Sequence, residues 1–205
     1  EKLCIDPLEI RLLNVNQPGD ITVAGAKFLS CGFEECLKKA SRSAGWSNKR
    51  NKIWRNNNKC YGIGMAGCIH TGGGGISAHG GNFSTAFIKI ENDGSVDILT
   101  GVPDIGQGSD TVLSQIAAEE LGVKIENIRI HAGDTDMTPC TLGVRGSRET
   151  FVAGNAVKLA AMKAKEELLK RARILMNIKE REKLKSANNK IFLEANPSKY
   201  ITLEE

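Results

Sequence analysis

Two glycine-containing turns hold the residues best suited to chemistry. The first runs Gly101-Val102-Pro103-Asp104-Ile105-Gly106-Gln107-Gly108 and opens a helix at Ser109. The second runs Gly143-Val144-Arg145-Gly146-Ser147-Arg148-Glu149-Thr150 and opens a longer one. A turn of this kind, leading from a strand into a helix, exposes backbone N–H groups and the positive helix end, so it suits phosphate. The first turn has the glycine spacing of a P-loop. Gln107 and Gly108 stand where that motif needs Lys and then Ser or Thr, for phosphate charge and for Mg²⁺. Phosphoryl transfer is therefore not expected. Gln107 offers neutral donors and an acceptor, which suit a polar ligand; a turn used only for tight packing is the alternative. In the second turn Arg145 and Arg148 can grip phosphate bidentately, while Ser147 and Thr150 can cap the helix or donate to an oxyanion. The same residues also read as a plain helix cap with surface arginines. Two such turns before consecutive helices favour one shared, extended, phosphate-bearing ligand.

Other chemistries find less support. There is no Gly-x-Ser-x-Gly nucleophile elbow and no Ser/His/acid set, so no catalytic residue is assigned. Six cysteines (Cys4, Cys31, Cys36, Cys60, Cys68, Cys140) include no CxxC pair and match no common iron–sulfur spacing. They are expected to be reduced and mostly buried. His70, His79 and His131 lie apart from any carboxylate pair at ligand spacing, so no side-chain metal site is expected.

The elements that must position the turns follow from the pattern. Asp6 caps a short helix with Pro7 in its first position, and Asn16 to Asp20 breaks it. A second helix spans about Phe33 to Ala44 and stops at Gly45. Phe83 to Ile90, the turn Asn92-Asp93-Gly94 and Val96 to Leu99 form a hairpin. A helix from Ser109 to Leu121, with a stripe of Val112, Ile116 and Leu121, ends at Gly122. A strand over Ile125–His131 and a helix from about Arg148 to Met176 follow, the latter with Lys163, Lys165, Glu166, Glu167 and Lys170 on a solvated face. Residues 179–190 read as a charged connector and Lys190–Leu193 as a last strand.

The composition, 40% hydrophobic and 25% charged over 205 residues, is that of an ordinary soluble protein. No apolar run is long enough to span a bilayer and no secretory segment opens the chain, so a cytoplasmic protein without membrane contact is expected. The net charge is +4. Five basic residues and no acid fall within residues 47–59, leaving the remainder near neutral. That stretch is read as a solvated linker and not as a nucleic-acid site. The expected division is a helical segment over 1–46, the basic linker over 47–59 and an α+β domain over 60–205. The chain has no initiator Met, which suggests a processed or excised piece.

The stretches DGSVDILTGVPDIGQGSDTVLSQIAAEELGV (93–123) and AGDTDMTPCTLGVRGSRETFVAGNAV (132–157) resemble the large subunits of molybdenum hydroxylases, the xanthine dehydrogenase/aldehyde oxidase family. The opening IDPLEIRLLNVNQPGD (5–20) and GFEECL (32–37) are also similar, so the likeness covers nearly the whole chain. Cys60-Tyr61 departs from the Arg-Gly common at that strand start.

The resemblance implies part of a molybdopterin-binding α+β domain, a mixed sheet and hairpin with helices following glycine-rich turns. Ile105, Gly106, Gln107, Gly108 and Ser109 would wrap the molybdopterin, with Gln107 hydrogen-bonding it and backbone amides meeting its phosphate. Gly146, Ser147, Arg148, Glu149 and Thr150 would lie beside the metal and pterin. The implied cofactor is molybdopterin with molybdenum, in the cytosine dinucleotide form common among bacterial relatives. Iron–sulfur clusters and FAD would sit on partner domains or subunits. The implied partners are the rest of the molybdenum subunit, an iron–sulfur subunit, an FAD subunit and a small substrate, aromatic, N-heterocyclic or aldehyde, hydroxylated or dehydrogenated with water as oxygen source. The family's catalytic Glu belongs to a Gly-Val-Gly-Glu-like motif that these 205 residues do not contain, so the isolated chain is expected to be inactive. A non-catalytic module that binds a cofactor or partner is the competing reading.

Overall fold

The computed structural model describes residues 2–23, 25, 27–50, 52, 54–70, 72 and 82–205. The chain divides into two compact units, 1–70 and 71–205. The second strand of a small hairpin, reaching Tyr61, pairs back into the first unit.

In the first unit, α1 (Pro7–Leu13) has Asp6 as N-cap, its Oδ1 accepting from the Leu8 N–H at 2.7 Å, and Pro at the start. The same carboxylate accepts from the Trp46 indole N–H at 3.1 Å. α2 (Phe33–Ala44) ends on Gly45 at φ +66°, the left-handed C-cap the sequence predicts. α3 (Trp46–Lys49) and the hairpin of β1 (Trp54–Asn56) and β2 (Lys59–Tyr61) then fill the stretch expected to be a bare linker. Gly67 lies against the Phe33 ring, where an added Cβ would come within 2.5 Å.

The second unit is built on a three-stranded sheet in the order β3 (Ala86–Ile90), β4 (Val96–Thr100), β5 (Ile128–Ala132). β3 and β4 form the expected hairpin, with Gly94 at φ +75° in the turn. β4 and β5 run parallel, joined through α4 (Ser109–Leu121) and a 3₁₀ turn at Ile125–Asn127, so the expected strand begins later, at Ile128. α5 (Glu149–Leu175) packs on β3, α4 packs on β5, and the two helices pack on each other. Ile98, Val102, Leu113, Ala117, Ala153 and Val157 make one core cluster, and Val96, Leu121, Val123 and Ala161 another. Burial on this scale, at about 25 cal/mol per Å² of apolar surface, is what holds helices to sheet.

The buried stripe of α4 is Leu113, Ala117 and Leu121, with Val112 and Ile116 only half-buried. The expected stripe was out of phase for its first two members, since Leu113 and Ala117 pack into the cluster of Ala153 and Val157 while Ile116 lies at its margin. Gly154 shows how close the helices come: a Cβ there would meet Ile116 Cδ1 at 2.8 Å.

β6 (Leu184–Ala187), β7 (Lys190–Leu193) and β8 (Asn196–Thr202) form a second antiparallel sheet. β7 was anticipated; β6 lies inside the expected connector. Its turn, Asn188-Asn189, has both residues at positive φ and closes the C-terminal end of α4. Asn189 N–H donates to the Gly122 carbonyl, Lys124 N–H donates to Asn189 Oδ1 at 2.7 Å, and the Ser186 hydroxyl donates to the Leu121 carbonyl.

The cysteines depart from expectation. Cys31 is half-buried and Cys4, Cys36, Cys60, Cys68 and Cys140 are exposed. Most lie in the loops and short elements of the first unit, outside the clusters that exclude water. Among the described residues, no helix is long and apolar enough to cross a membrane.

Candidate cofactor-binding site

Strand direction brings the two turns to one end of the sheet. Ala86 pairs with Thr100 and Thr100 with Ala132, so the start of β3 and the ends of β4 and β5 share an edge. The helices start there too: Leu113, Ala117 and Leu121 of α4 meet Ala153, Val157 and Ala161 of α5 in order, so both run away from this edge. In open sheets with parallel strands, ligands gather beyond such strand ends. A cleft of about 290 Å³ lies here, lined by Gly101, Gly133, Thr135, Thr138, Cys140 and Thr141 among others.

The first turn is tied to itself. Gln107 Oε1 accepts from the Ile105 N–H at 2.7 Å, and its Nε2 donates to the Pro103 carbonyl at 3.2 Å and Ser109 Oγ at 2.9 Å. Three of the candidate residues, Ile105, Gln107 and Ser109, are thus joined through one amide. Gly106 and Gly108 have φ of +102° and +78°, and a Cβ on either would meet nothing within 4 Å, so open space lies beside the backbone.

Asp104, which the sequence reading passed over, occupies the amides of this turn. Its Oδ1 accepts from the Gly106 N–H at 2.8 Å and its Oδ2 from the Asp110 N–H at 3.3 Å. The Gly106 amide, with help from its neighbours, holds the Asp104 carboxyl below the usual Asp range. Asp110 is pushed the other way, by burial and then by Asp104. The Asp-x-Gly spacing of Asp104 and Gly106 is an Asx-turn signal and was legible in the sequence.

The second turn separates its residues inside from outside. Gly143, Gly146 and Ser147 have positive φ, and Ser147 and Arg145 are exposed. Neither Ser147 nor Thr150 caps α5, whose N-cap is Arg148 without a side-chain capping bond. Arg148 is fully buried. Its Nη2 donates to the Phe83 carbonyl at 2.6 Å, Nη1 to the Gly143 carbonyl at 2.9 Å and Nε to Asn82 Oδ1 at 3.3 Å. The guanidinium is therefore committed to three loop oxygens. Beside it, Glu149 is 7% exposed and neither carboxylate oxygen has a hydrogen-bond partner; Arg148 Nη1 stands 3.7 Å away. Burial pushes the Glu149 carboxyl up, partly offset by Arg148. The Thr100 hydroxyl, at the end of β4, is likewise buried and unpartnered. Ser84 and Thr141 hydroxyls lie 3.3 Å apart, linking the strand entering β3 to the cleft wall.

Most of the glycine-rich segment over 71–82 falls outside the described residues. Among the described residues, no group of three or more His, Cys, Asp or Glu side chains is placed to hold a metal ion.

The chain is similar to known proteins over most of its length. Residues 39–205 match the family model for the molybdopterin cofactor-binding domain. The xanthine dehydrogenase molybdenum-binding subunit of Escherichia coli O157:H7 is 34% identical over 178 residues, covering 85% of this chain and 23% of its own. The carbon monoxide dehydrogenase large chain of Afipia carboxidovorans is 29% identical over 221 residues, covering all of this chain and 27% of its own. Among solved structures, CO dehydrogenase from Oligotropha carboxidovorans superposes with a TM-score of 0.57 at 25% identity, over 100% of this chain and 27% of that one. The aldehyde oxidoreductase of Desulfovibrio desulfuricans gives 0.51 at 30% identity, over 84% and 18%. The chain spans about a quarter of the length of the curated relatives it matches. It belongs to the molybdenum hydroxylase large-subunit family, through that family's molybdopterin cofactor-binding domain.

Proposed function

We propose that this chain forms one part of the cofactor-binding region of a molybdenum-dependent oxidoreductase, acting on an aromatic, N-heterocyclic or aldehyde substrate. The observation that carries the reading is that two glycine turns, with open space at Gly106, Gly108 and Gly143, open helices at the same end of one sheet in a chain of this family. When bound, the molybdenum cofactor supplies a metal-activated hydroxide and a two-electron store, which no side chain here offers. The chain's own residues shape and position. Gln107 fixes the turn over 103–109, Arg148 locks the second turn to the entry of β3, and Gly146 and Ser147 present backbone to the ligand. The ten residues Ile105–Ser109 and Gly146–Thr150 are the proposed contact set.

The fit differs between parts of the cofactor. Open space beside the glycines suits a flat ring system. Asp104 takes the Gly106 amide and one α4 amide, that of Asp110, so fewer N–H groups of this turn are left for the cofactor's phosphates. The cytosine dinucleotide form, an iron–sulfur subunit, an FAD subunit and the remainder of the molybdenum subunit complete the proposal. They rest on the family, and names such as "6-hydroxypseudooxynicotine dehydrogenase complex subunit gamma" show that relatives work within complexes. A cytoplasmic location is part of the same reading.

The test is acid release of bound small molecules from protein purified out of cells that make the cofactor. An oxidised fluorescent pterin together with CMP is expected. Pterin without CMP would remove the dinucleotide, and neither would favour the competing reading of a non-catalytic module.

A further inference from the structure

The outer edge of β3 is open. Glu91, just past this strand, donates its N–H to the Ser95 carbonyl at 2.8 Å, so its backbone faces β4. Backbone groups alternate along an antiparallel ladder, so Phe87 and Lys89 also face β4, while Ala86, Ile88 and Ile90 turn their N–H and C=O groups away from it. Among the described residues, no strand pairs with that side. Native edges are commonly blunted by proline, a bulge or charge. β3 has no proline and holds an unbroken register with β4, and its one charge, Lys89, is ion-paired with Glu91 at 2.5 Å.

Beside this edge a groove of about 540 Å³ runs between β3 and α5. Ala86 and Ile88 line it from the strand, and Ala156, Ala160 and Ala164, which recur every fourth residue, line it from the helix. Leu159 lines it too and is 59% exposed. A row of alanines lets another helix come close, to about 8–10 Å between axes. Ala86 and Ile88 pack towards the core, so Phe87 lies on the other face of the sheet, where it is 56% exposed.

We propose that two copies of the chain join at this edge, β3 against β3, antiparallel about a two-fold axis at Ile88. The edge is complementary to itself in that register. Ile88 meets its own copy and Ala86 meets Ile90, in hydrogen-bonded pairs that satisfy every outward backbone group of the strand. On the open face Phe87 lies across from Lys89 of the second copy, whose methylene stem covers the ring and whose ammonium attracts its face. Lys89 and Glu91 fall opposite Phe87 and Thr85, so no charge directly faces its like. The two α5 helices come side by side on one face of a continuous sheet, alanine row towards alanine row. β3 and α5 both start at the end that carries the glycine turns, so antiparallel pairing sends the turns of the two copies to opposite ends and leaves both open. Strand and groove together bring fewer residues than the roughly 20–30 a side of a standard interface, so the joint buries about 1,000–1,200 Å² in total. That is the low end for a specific interface and makes the dimer reversible, with Kd on the order of 10 µM.

The experiment is sedimentation velocity of the purified chain over about 1–200 µM, a range that brackets the expected Kd, with amide hydrogen exchange at both ends of it. Dimer is expected to grow through that range, with exchange slowed at Ala86, Ile88 and Ile90 and unchanged at Phe87 and Lys89, whose amides already bond to β4. Ala86→Pro blocks the edge at a position whose N–H takes no part in the β3–β4 ladder, and should weaken association about tenfold or more. Phe87→Lys sets lysine across from lysine and should weaken it by about as much. Adding Lys89→Phe exchanges the two partners and should restore association, which a misfolded variant or another register would not do. Circular dichroism checks the fold of each variant. A chain that stays monomeric at every concentration leaves the edge to a different chain, such as a strand from the rest of the subunit, and overturns the proposal. Association without slowed exchange at Ala86, Ile88 and Ile90, or indifferent to both single variants, overturns it as well.

Discussion

Arg148 Nη2, at the threshold of α5, donates to the carbonyl of Phe83, ahead of β3, at 2.6 Å. Sixty-five residues separate them, and the bond closes the end of the sheet where the proposed cofactor site lies. With Gly143 and Asn82 as its other acceptors, the guanidinium ties the segment at 82–83 to the one at Gly143. Arginine's rigid fork suits this task better than ligand binding at the surface would require.

Replacing Arg148 is therefore expected to be severe. Arg148→Ala removes a fully buried side chain, three hydrogen bonds and the partner of the buried Glu149, and should cost about 3–5 kcal/mol of unfolding free energy. Arg148→Lys should recover little, because one ammonium cannot reach in three directions. Urea unfolding followed by circular dichroism checks this; a loss under about 1 kcal/mol would show that the loops are held by other means.

Gln107 should show its role in local motion and not in global stability. Its three bonds are internal to the turn, and the Ile105 N–H depends on Oε1 alone. Gln107→Ala is expected to cost about 1 kcal/mol and to speed hydrogen exchange at Ile105 while α4 stays protected. Unchanged exchange at Ile105 would mean that the amide is not held by Gln107.

The opposite face of the sheet makes a pH prediction. Arg129 Nε donates to Asp97 Oδ1 at 2.7 Å and His131 Nε2 lies 3.3 Å from the same oxygen. The Arg129 guanidinium, with His131, lowers the Asp97 pKa from 3.8 to about 2. The folded value lies below the unfolded one, so the stabilisation is full above about pH 4 and is lost as pH falls towards about 2. With Arg129 half in solvent, it should amount to about 1–2 kcal/mol. Asp97→Asn should unfold more readily than the parent at pH 7, and the gap should shrink between pH 4 and 2. A constant gap across that range would place the effect elsewhere.

The Asn188-Asn189 turn supports the site from the far end of α4. Asn189 stands at φ +61° with Oδ1 accepting from Lys124 and Nδ2 donating to Asn127 at 2.9 Å. Asn189→Ala loses both bonds and places a side chain with no local partner in the left-handed region, at about 1–2 kcal/mol. Asn189→Gly should recover the backbone part only. Gly122→Ala should be worse, since its Cβ would meet the Ser186 carbonyl oxygen at 2.2 Å in a backbone that favours glycine. Thermal melting of the three variants tests the order.

Much of this was legible in the residues. Asp6-Pro7, Gly45, Gly122 and Asn92-Asp93-Gly94 fixed helix and hairpin boundaries because each is a local choice between backbone conformations. The two turns were visible for the same reason, and their meeting at one sheet end follows from parallel β4 and β5. What stayed hidden depends on partners distant in sequence. Arg148 looked like an anion grip until Phe83 and Asn82 supplied its acceptors. Asp104 had no role until its carboxylate was found on the Gly106 and Asp110 amides. β6 lay in a charged stretch whose burial comes from Leu184 packing against Ala172 and Ile191, which no local pattern announces.

The central claim is that this chain holds molybdenum cofactor within a larger assembly. Its most direct test is molybdenum content, by mass spectrometry, of the tagged protein purified gently from its own host together with whatever accompanies it. Stoichiometric molybdenum with an iron–sulfur or flavin protein attached is the expected result. A folded chain carrying neither molybdenum nor partners would contradict it.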